Sequence, residues 1–481
     1  MNGPIRRLAT VTFVAMIVLV LGATYVQAVA GPRYRNDSRN ARVLLAVSGK
    51  ERGTIVTSDG EVVAQSVADT EDPRRYFREY PHGGLYAHAV GFSSLLFGDE
   101  GIEAAYASDL LSKRDLTISD LITALLGRDL QARSIQLTLD HSLQLVADEV
   151  LGSNRGAVVA LDPSTGAVLA LVSHPSFDVN DIVGPGAAVL RETLLDDPSQ
   201  PLLNRATRQS YAPGSSFKVV TAAAALDDGL AGKATEFPDP VELELPGSTA
   251  TIRNADSEAC HDGVSVTLQE AFRRSCNTTF GMLAMEIGGE RLFNRATAFG
   301  FNGSLPLETG VLNSFFPPDL GNDLPAIAQS GIGHRDVQAT VLQMALVAAA
   351  VANRGEVMAP HMVATLVDAE GNVLEQAEPS VYRRAISPGT SLVLTGLMEE
   401  VVTSGTGTRA QVPGIRVAGK TGTAASGTGP VNVWFIGFAP VEKPTLAIAV
   451  LVEDAGEGAS GGAVAAPMAA EIMKAWFEGK D

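Results

Sequence analysis

Two groups of strand-like segments, one at each end of the C-terminal part of the chain, constrain its fold most. The strand segments are residues 156–162, 167–172, 415–419, 431–438 and 445–452. The first two are split by Pro163-Ser164-Thr165-Gly166, which is a hairpin signal. Between the two groups lie helical segments over residues 215–226, 267–274 and 340–353, and a last amphipathic run over 465–477 also predicts a helix. Strands at both ends with helices between them indicate an α+β domain, so we expect one antiparallel sheet with an inserted helical subdomain.

The stretch Ser215-Ser216-Phe217-Lys218 is the most specific sign of chemistry. It puts a serine and a lysine one helical turn apart, and residues at that spacing share one face of a helix. A free serine is a poor nucleophile, and an adjacent base is one standard way to activate it. Any helix surface can carry this pattern, but of the eight lysines only Lys218 has a serine three residues before it.

Two further motifs follow in order, Ser275-Cys276-Asn277 and Lys420-Thr421-Gly422-Thr423. A second S-x-N tripeptide at Ser38-Arg39-Asn40 shows that this motif is not specific by itself, whereas K-T-G occurs once. The ordered trio S-x-x-K, S-x-N and K-T-G is a signature of penicillin-binding proteins and class A β-lactamases. The three motifs together therefore outweigh the interpretation of each as ordinary surface sequence.

Most of residues 40–475 resembles the class B penicillin-binding proteins, with a size and layout most similar to the PbpA type of actinobacteria. Besides the trio, the resemblance rests on Arg52-Gly53-Thr54-Ile55 with Asp59-Gly60, Gly98-Asp99-Glu100-Gly101-Ile102-Glu103, Leu137-Thr138-Leu139-Asp140 through Gln144, Ala160 through Gly166, Asn204-Arg205-Ala206 and Trp434 through Pro440. It implies a penicilloyl-serine transferase fold, which agrees with the α+β arrangement expected above.

The resemblance also implies a role for each polar residue of the motifs. Ser215 is the expected nucleophile and Lys218 its base. A lysine acts as a base only while it is neutral, and burial and the nearby cation Lys420 would both disfavour its charged form. Ser275 would relay the proton to the leaving amine, Asn277 would hold Lys218 and contact the donor peptide, and Lys420 would orient Ser275 and attract the substrate carboxylate.

The oxyanion of the reaction would be bound by two backbone N–H groups. That of Ser215 lies at a helix start, where donors are free, and the resemblance suggests that of Thr423 as the second. An edge strand carrying Thr421, Gly422 and Thr423 would present hydroxyl groups to the substrate carboxylate. Trp434 is predicted either to contact the substrate or to pack in the core, since large aromatic side chains dominate core packing.

The expected function is that of a serine D,D-transpeptidase, which cross-links peptidoglycan stem peptides ending in D-Ala-D-Ala through an acyl-enzyme on Ser215. β-Lactams would enter as substrate mimics and inhibit by acylation. One alternative is a D,D-carboxypeptidase or β-lactamase, with water as the acceptor; nothing in the sequence shows that Glu399 or Glu400 faces the serine to activate that water. Another is a catalytically idle penicillin-recognising sensor or scaffold, although Ser215, Lys218 and Lys420 are all present.

The N-terminus predicts a single membrane anchor. Arg6 and Arg7 precede a mostly apolar run over residues 8–29, long enough to cross a bilayer with its N-terminus in the cytoplasm. A cleavable signal peptide is the alternative, because Ala28-Val29-Ala30 resembles a cleavage site, but the run exceeds the usual length of a signal peptide. We expect residues 1–30 to form a cytoplasmic tip and transmembrane helix, 31–150 a non-catalytic, dimerisation-like pedestal outside the cytoplasm, and 151–481 the transpeptidase domain.

Composition excludes several other classes of partner and site. The formal net charge of −18 argues against nucleic acid. The seven histidines show no metal-ligand spacing and no phosphate-binding P-loop is present, so we expect neither metal nor cofactor. His334, within Gly331-Ile332-Gly333-His334-Arg335, is expected to be structural. No glycosyltransferase domain fits within the 150 residues ahead of the catalytic region, so the resemblance implies a membrane glycosyltransferase partner of the RodA/FtsW kind.

Cys260 and Cys276 are the only cysteines, and we expect them to form a disulfide. They would lie in an oxidising compartment if the anchor is interpreted correctly. Closing a loop of this size stabilises by roughly 3 kcal/mol in the chain-entropy model. The bridge would brace Ser275 and Asn277, which flank Cys276. Two unrelated buried thiols are the alternative, since free cysteine packs as a small hydrophobic residue.

Overall fold

The structure, a computed structural model, describes residues 2–26, 50–70, 72, 75–111, 132–184, 186–425 and 431–479. The strands are β1 (Ile55–Val56), β2 (Val62–Ala68), β3 (Tyr76–Glu79), β4 (Ser93–Ser94), β5 (Gly98–Asp99), β6 (Ser134–Leu137), β7 (Gly156–Leu161), β8 (Val168–His174), β9 (Glu236–Pro238), β10 (Glu242–Glu244), β11 (Thr251–Arg253), β12 (Ser265–Thr267), β13 (Glu356–Met358), β14 (Val363–Val367), β15 (Val373–Gln376), β16 (Val381–Arg384), β17 (Ala418–Ala425), β18 (Val431–Ala439) and β19 (Leu446–Val452). The helices are α1 (Asn2–Tyr25), α2 (Ala87–Val90), α3 (Gly101–Ala105), α4 (Ala107–Leu110), α5 (His141–Leu151), α6 (Val179–Val183), α7 (Ala187–Asp196), α8 (Lys218–Asp227), α9 (Leu268–Arg274), α10 (Asn277–Ile287), α11 (Gly289–Ala298), α12 (Leu324–Gly331), α13 (Val341–Ala352), α14 (Pro388–Ser404) and α15 (Ala465–Glu478).

Helix α1 is long and apolar enough to cross a membrane. Its 24 residues correspond to about 36 Å of helix, and the hydrocarbon core of a bilayer is about 30 Å thick. The apolar stretch Gly3–Tyr25 packs against no other part of the described chain. By its length and composition, α1 therefore fits the expected anchor, which is a single membrane-spanning helix. The cleavage motif Ala28-Val29-Ala30 lies outside the described residues.

A six-stranded sheet forms the pedestal, in the order β15-β14-β6-β1-β2-β3. Strand β6 runs parallel to β1 and antiparallel to β14. Strands β14 and β15 come from a much later part of the sequence than the other four, so the pedestal sheet extends beyond residues 31–150. Because β14 belongs to this sheet, the pedestal and the C-terminal domain share a continuous hydrogen-bonded layer.

A buried ion cluster around Glu103 holds the pedestal together. Arg52 Nη2 lies 2.9 Å from Glu103 Oε2 and Arg78 Nε lies 2.6 Å from Oε1. Tyr80 donates its hydroxyl hydrogen to Oε1 at 3.2 Å, and Glu103 is fully buried. A buried charge is tolerated only when it is paired, and the two arginines provide that pairing for the Glu103 carboxylate.

The C-terminal domain is built on a five-stranded antiparallel sheet in the order β17-β18-β19-β7-β8. The two distant strand groups thus join in one sheet, and the α+β prediction is confirmed. The strand predicted over 415–419 was wrong in its position. Pro413-Gly414 turns the chain, with Gly414 at φ 78° and a bridge between Val412 and Ile415, so the strand starts only at Ala418 and runs through Lys420–Thr423.

Helices cover both faces of this sheet. Helices α5 and α15 pack on one face, and the fully buried helix α13 packs on the other. Strands covered on both faces are expected to be continuously apolar, and all residues of β7 and β19 are buried. Helix α8 lies in the inserted helical part of the domain, where its alanine-rich surface lets α10, α11 and α14 pack closely against it.

Candidate active site

The proposed nucleophile lies on a tight turn that leads into α8. Residues Gly214–Phe217 form one turn of 3-10 helix, and α8 follows directly. Ser215 is half-buried and lines a cleft. The hydroxyl of the neighbouring Ser216 is instead buried and donates to the carbonyl of Pro213 at 2.6 Å. Of the two serines, only Ser215 offers its side chain to the cleft.

Helix α8 carries Lys218 into the interior below this serine. Its side chain is fully buried. Nζ donates to the carbonyl oxygen of Ser275 and to Oδ1 of Asn277, both at 2.7 Å, and lies 3.4 Å from Ser275 Oγ. Burial, and then the charge of Lys420, hold the pKa of Lys218 well below its usual range. A neutral amine has two hydrogens, and the two short bonds use both, so its lone pair stays free to take a proton.

Lys420 approaches Ser275 from strand β17. Its Nζ donates to Ser275 Oγ at 2.8 Å and to the carbonyl of Thr421 at 3.1 Å. The side chain is fully buried, and that burial lowers the pKa of Lys420 to about 7. The hydroxyl of Ser275 therefore lies between two lysine amines, which is the arrangement a proton relay needs.

The backbone at Ser275 is held in an unusual conformation. Helix α9 ends at Arg274, Ser275 has φ 67°, and α10 starts at Asn277. A left-handed residue other than glycine is uncommon, and at Ser275 it makes the sharp turn between α9 and α10. Asn254 supports the second helix start, because its Oδ1 accepts hydrogen bonds from the backbone N–H of Asn277 at 2.8 Å and of Thr278 at 3.2 Å. No sequence motif includes Asn254, which lies in a loop and acts through its contacts with the start of α10.

The structure pairs Cys260 with Cys276 as a disulfide, with Cα atoms 5.9 Å apart. The loop that carries Cys260 is also held by Asp239, whose carboxylate accepts from the backbone N–H of Cys260 at 2.8 Å and of His261 at 2.6 Å. Asn254 and Asp256, on the same loop, line the cleft. One wall of the cleft is thus tied directly to the Ser275–Asn277 segment.

Strand β17 forms the opposite wall and is the edge of its sheet. Thr421, Gly422 and Thr423 all line the cleft. Thr421 Oγ1 shares a hydrogen bond of 2.6 Å with Thr406 Oγ1, a residue that the motifs do not include. A side chain at Gly422 would place Cβ only 2.7 Å from the carbonyl of Pro213, so glycine is required for the strand to lie against the nucleophile turn.

The backbone of Thr423 faces that same turn. A Cβ added at Gly214, which has φ 52°, would clash with the carbonyl oxygen of Thr423. In an antiparallel strand the N–H and C=O of one residue point to the same side. The N–H of Thr423 therefore points toward Ser215, whose own N–H is at the start of a helical turn. Both predicted oxyanion donors are on the same side of the cleft.

The structure does not bring Trp434 into the cleft, which corrects its prediction as a substrate contact. The side chain is fully buried, its Nε1–H donates to the carbonyl of Ala212 at 3.1 Å, and its ring meets Tyr211 edge to face with centroids 6.2 Å apart. Trp434 therefore packs behind the nucleophile turn. Glu453 supports the nucleophile turn from the same side. Its carboxylate accepts a hydrogen bond from the Tyr211 hydroxyl and one from Arg205 Nε at 3.0 Å.

The cleft has a volume of about 870 Å³. Among the described residues that line it, Asp256 has the only carboxylate, whereas Arg273, Arg274 and Arg409 supply positive charge. Glu399 pairs with Arg416 at 2.6 Å and Glu400 accepts from Gln269 at 2.6 Å, so neither faces Ser215. In the part of the chain that the structure describes, no group of three or more His, Cys, Asp or Glu side chains could hold a metal ion.

Comparisons with known proteins agree with this geometry. Residues 156–474 match the penicillin-binding protein transpeptidase domain, and residues 52–135 match the penicillin-binding protein A dimerisation domain. The peptidoglycan D,D-transpeptidase PbpA of Mycolicibacterium smegmatis is 41% identical over the full length of both chains. That of Mycobacterium tuberculosis is 37% identical, again over both full chains.

Solved structures extend the comparison to three dimensions. The ceftriaxone acyl-enzyme complex of penicillin-binding protein A from M. tuberculosis is similar with a TM-score of 0.85 and 36% sequence identity, covering 90% of this chain and 99% of that one. The matches to the family models, the relatives and this structure leave one conclusion. This chain belongs to the penicillin-binding protein transpeptidases.

Proposed function

We propose that this chain is a peptidoglycan D,D-transpeptidase that acts through an acyl-enzyme on Ser215 and that β-lactams acylate. The observation that carries the proposal is the hydroxyl of Ser275, which lies 2.8 Å from Lys420 Nζ and 3.4 Å from Lys218 Nζ, beside the cleft that Ser215 lines. This arrangement places the proposed base Lys218 and the proposed relay Ser275 in contact with each other, beside the cleft that the proposed nucleophile lines.

Acylation starts when Lys218 takes the hydroxyl proton of Ser215. Ser215 Oγ then attacks the carbonyl carbon of the penultimate D-alanine, and the N–H groups of Ser215 and Thr423 bind the oxyanion. Lys218 returns the proton through Ser275 to the nitrogen of the leaving D-alanine as the C–N bond breaks. We assign binding of the substrate carboxylate to Arg409 and the hydroxyl of Thr421, both of which line the cleft.

A second substrate then releases the enzyme. The amine of another stem peptide attacks the acyl carbon, a new amide forms, and Ser215 regains its proton. Hydrolysis by the same site would need a base for water, and the only carboxylate among the described cleft residues is Asp256, on the Cys260 loop. The relatives that match over their full length are named peptidoglycan D,D-transpeptidases, which favours amine transfer over β-lactamase activity. The presence of nucleophile, base and relay argues against an idle scaffold.

We further propose that α1 anchors the chain and that the domains after it lie outside the cytoplasm. Arg6 and Arg7, near the N-terminal end of α1 and ahead of its apolar run, support this orientation, since positive charge is retained in the cytoplasm. A membrane glycosyltransferase of the RodA/FtsW kind is the proposed partner, because the two matched domains are a dimerisation and a transpeptidase domain. Co-purification of the full chain with such a glycosyltransferase from detergent would support this partner, and its absence from the purified complex would count against it.

Product analysis tests the function directly. The wild-type protein is mixed with a D-Ala-D-Ala stem peptide as donor and an amine-bearing stem peptide as acceptor. We expect D-alanine release and a cross-linked dimer by mass spectrometry, both lost in Ser215→Ala and unchanged in the neighbouring Ser216→Ala. Release of D-alanine with no dimer would identify a carboxypeptidase, and neither product from wild type would refute the enzyme.

A further inference from the structure

His334 is a titratable residue in the cleft that the acylation steps do not use. It lies on the turn between α12 and α13 and lines the same cleft as Ser215. The turn touches the nucleophile turn directly, because the backbone N–H of Gly214 donates to the carbonyl of Gly333 at 3.0 Å. A Cβ added at Gly333 would clash with the carbonyl of Gly214. Close contact of the two backbones therefore fixes His334 next to the reacting serine.

The backbone of His334 is held by hydrogen bonds, whereas its ring makes none to the residues that the structure describes. The N–H donates to the carbonyl of Gln329 at 3.1 Å, and its carbonyl accepts from Val337 at 3.3 Å. Within the described ranges, no residue forms a hydrogen bond with either ring nitrogen. Burial, and then the charge of Lys218, lower the pKa of His334, so its imidazole is neutral at pH 7. One nitrogen of a neutral imidazole is an acceptor, and among the described residues it has no hydrogen-bond partner, although His334 lines the cleft.

The second half of the reaction needs such an acceptor. An alkylamine has a pKa near 10.4 in water and arrives as an ammonium ion, which cannot attack a carbonyl. The positive charge of Arg409, which lines the cleft, disfavours the charged form of an amine that enters it and so lowers the pKa of the incoming ammonium. We propose that His334 takes the proton that the acceptor ammonium loses before it attacks the acyl-enzyme, an inference that rests on the transpeptidase function proposed above.

The proton balance is complete with the groups present. The acceptor R–NH₃⁺ gives one proton to His334 and becomes R–NH₂. Its nitrogen bonds to the acyl carbon, and its second proton passes through Lys218 to Ser215 Oγ as the C–O bond breaks. The products are an amide that keeps the third proton, a free Ser215 and an imidazolium, which releases its proton to solvent through the open cleft.

The test compares the two half-reactions in the full-length protein. For His334→Gln, which keeps a polar side chain but no base, we expect the acylation rate with a fluorescent penicillin to stay within about threefold of wild type. Transfer from a D-alanyl thioester donor to an amine acceptor should fall by about 10²-fold at pH 7, a magnitude typical of lost general-base catalysis. His361→Gln is the matched control, since that partly buried histidine lies outside the cleft.

A pH series separates a proton acceptor from a packing role. The charged groups of the same region are Lys218 on α8, Lys420 on β17 and the Arg335–Asp336 pair, 3.2 Å apart, on the loop of His334 itself. Raising the pH toward the pKa of the acceptor amine supplies free amine, so transfer by His334→Gln should recover relative to wild type. Equal losses of acylation and transfer, or normal transfer at pH 7, would overturn the role of His334. Failure of wild type to acylate would instead refute the proposed function.

Discussion

Replacing Lys420 by methionine separates the contribution of its charge from that of its bulk. The change removes the hydrogen bond from Nζ to Ser275 Oγ at 2.8 Å and keeps a side chain of similar length in the buried site. A hydrogen bond from a charged donor contributes about 1.5–3 kcal/mol, and about 1.4 kcal/mol corresponds to a tenfold change in rate. We therefore expect acylation to slow by roughly 10- to 150-fold.

The same substitution changes the pH dependence of acylation. The charge of Lys420 is the second cause, after burial, of the lowered pKa of Lys218. Without it the pKa of Lys218 rises, and because only the neutral amine is a base, the low-pH limb of the acylation profile should move to higher pH. Lys443→Met, at an exposed lysine between β18 and β19, should change neither property.

The assay is the second-order rate of labelling by a fluorescent penicillin, measured from pH 6 to 9. Lys420→Arg serves as a second comparison because it keeps the charge but not the shape. A loss smaller than about threefold in Lys420→Met, together with an unmoved low-pH limb, would refute the relay through Ser275.

Three further outcomes follow. Lys218→Arg should lose acylation although it keeps the charge, because arginine stays protonated; labelling near the wild-type rate would show that the base lies elsewhere. The double variant Cys260→Ser with Cys276→Ser should lose roughly 3 kcal/mol of unfolding free energy in urea titrations under oxidising conditions, and equal stability would mean that the bridge does not form in the protein. Stability should rise between pH 7 and pH 10, because an unfolded lysine with a pKa near 10.4 binds a proton that folded Lys420, with its pKa of about 7, does not. Each such proton gives the unfolding free energy a slope of about 1.4 kcal/mol per pH unit. Lys420→Met should therefore lower this slope by about 1.4 kcal/mol per pH unit; an unchanged slope would contradict the lowered pKa of Lys420.

Much of the fold could be predicted because its signals are local. The strands of the central sheet are continuous apolar runs, and the turn residues between 162 and 166 mark their hairpin. The exception, β17, starts late because the Pro413-Gly414 turn intervenes. The joining of β14 and β15 to the pedestal sheet could not be predicted, since strand pairing over such a distance leaves no local pattern.

The site could be predicted to the extent that it lies in motifs. The structure brings Ser215, Lys218, Ser275, Asn277 and Lys420 together, as their motifs led us to expect. Trp434 was ambiguous for a physical reason: in a sheet covered on both faces, apolar residues do not alternate with polar ones, so the sequence does not show which face a side chain occupies.

The supporting residues were missed because they act across the fold. Asn254, Thr406 and Glu453 are single polar residues in loops or at a strand end, and each gains its role only through a partner far away in the sequence. A polar side chain in such a place has the same appearance in the sequence as one in contact with solvent. Only burial and the identity of the partner distinguish them.

The most direct test of the central claim is to locate the acyl group. Purified protein is incubated with penicillin, its intact mass is measured, and the modified peptide is identified after proteolysis. We predict one added penicilloyl group per chain, located on Ser215 and absent from Ser215→Ala. A penicilloyl group on Ser216 or Ser275, or undiminished labelling of Ser215→Ala, would contradict the assignment of Ser215 as the nucleophile.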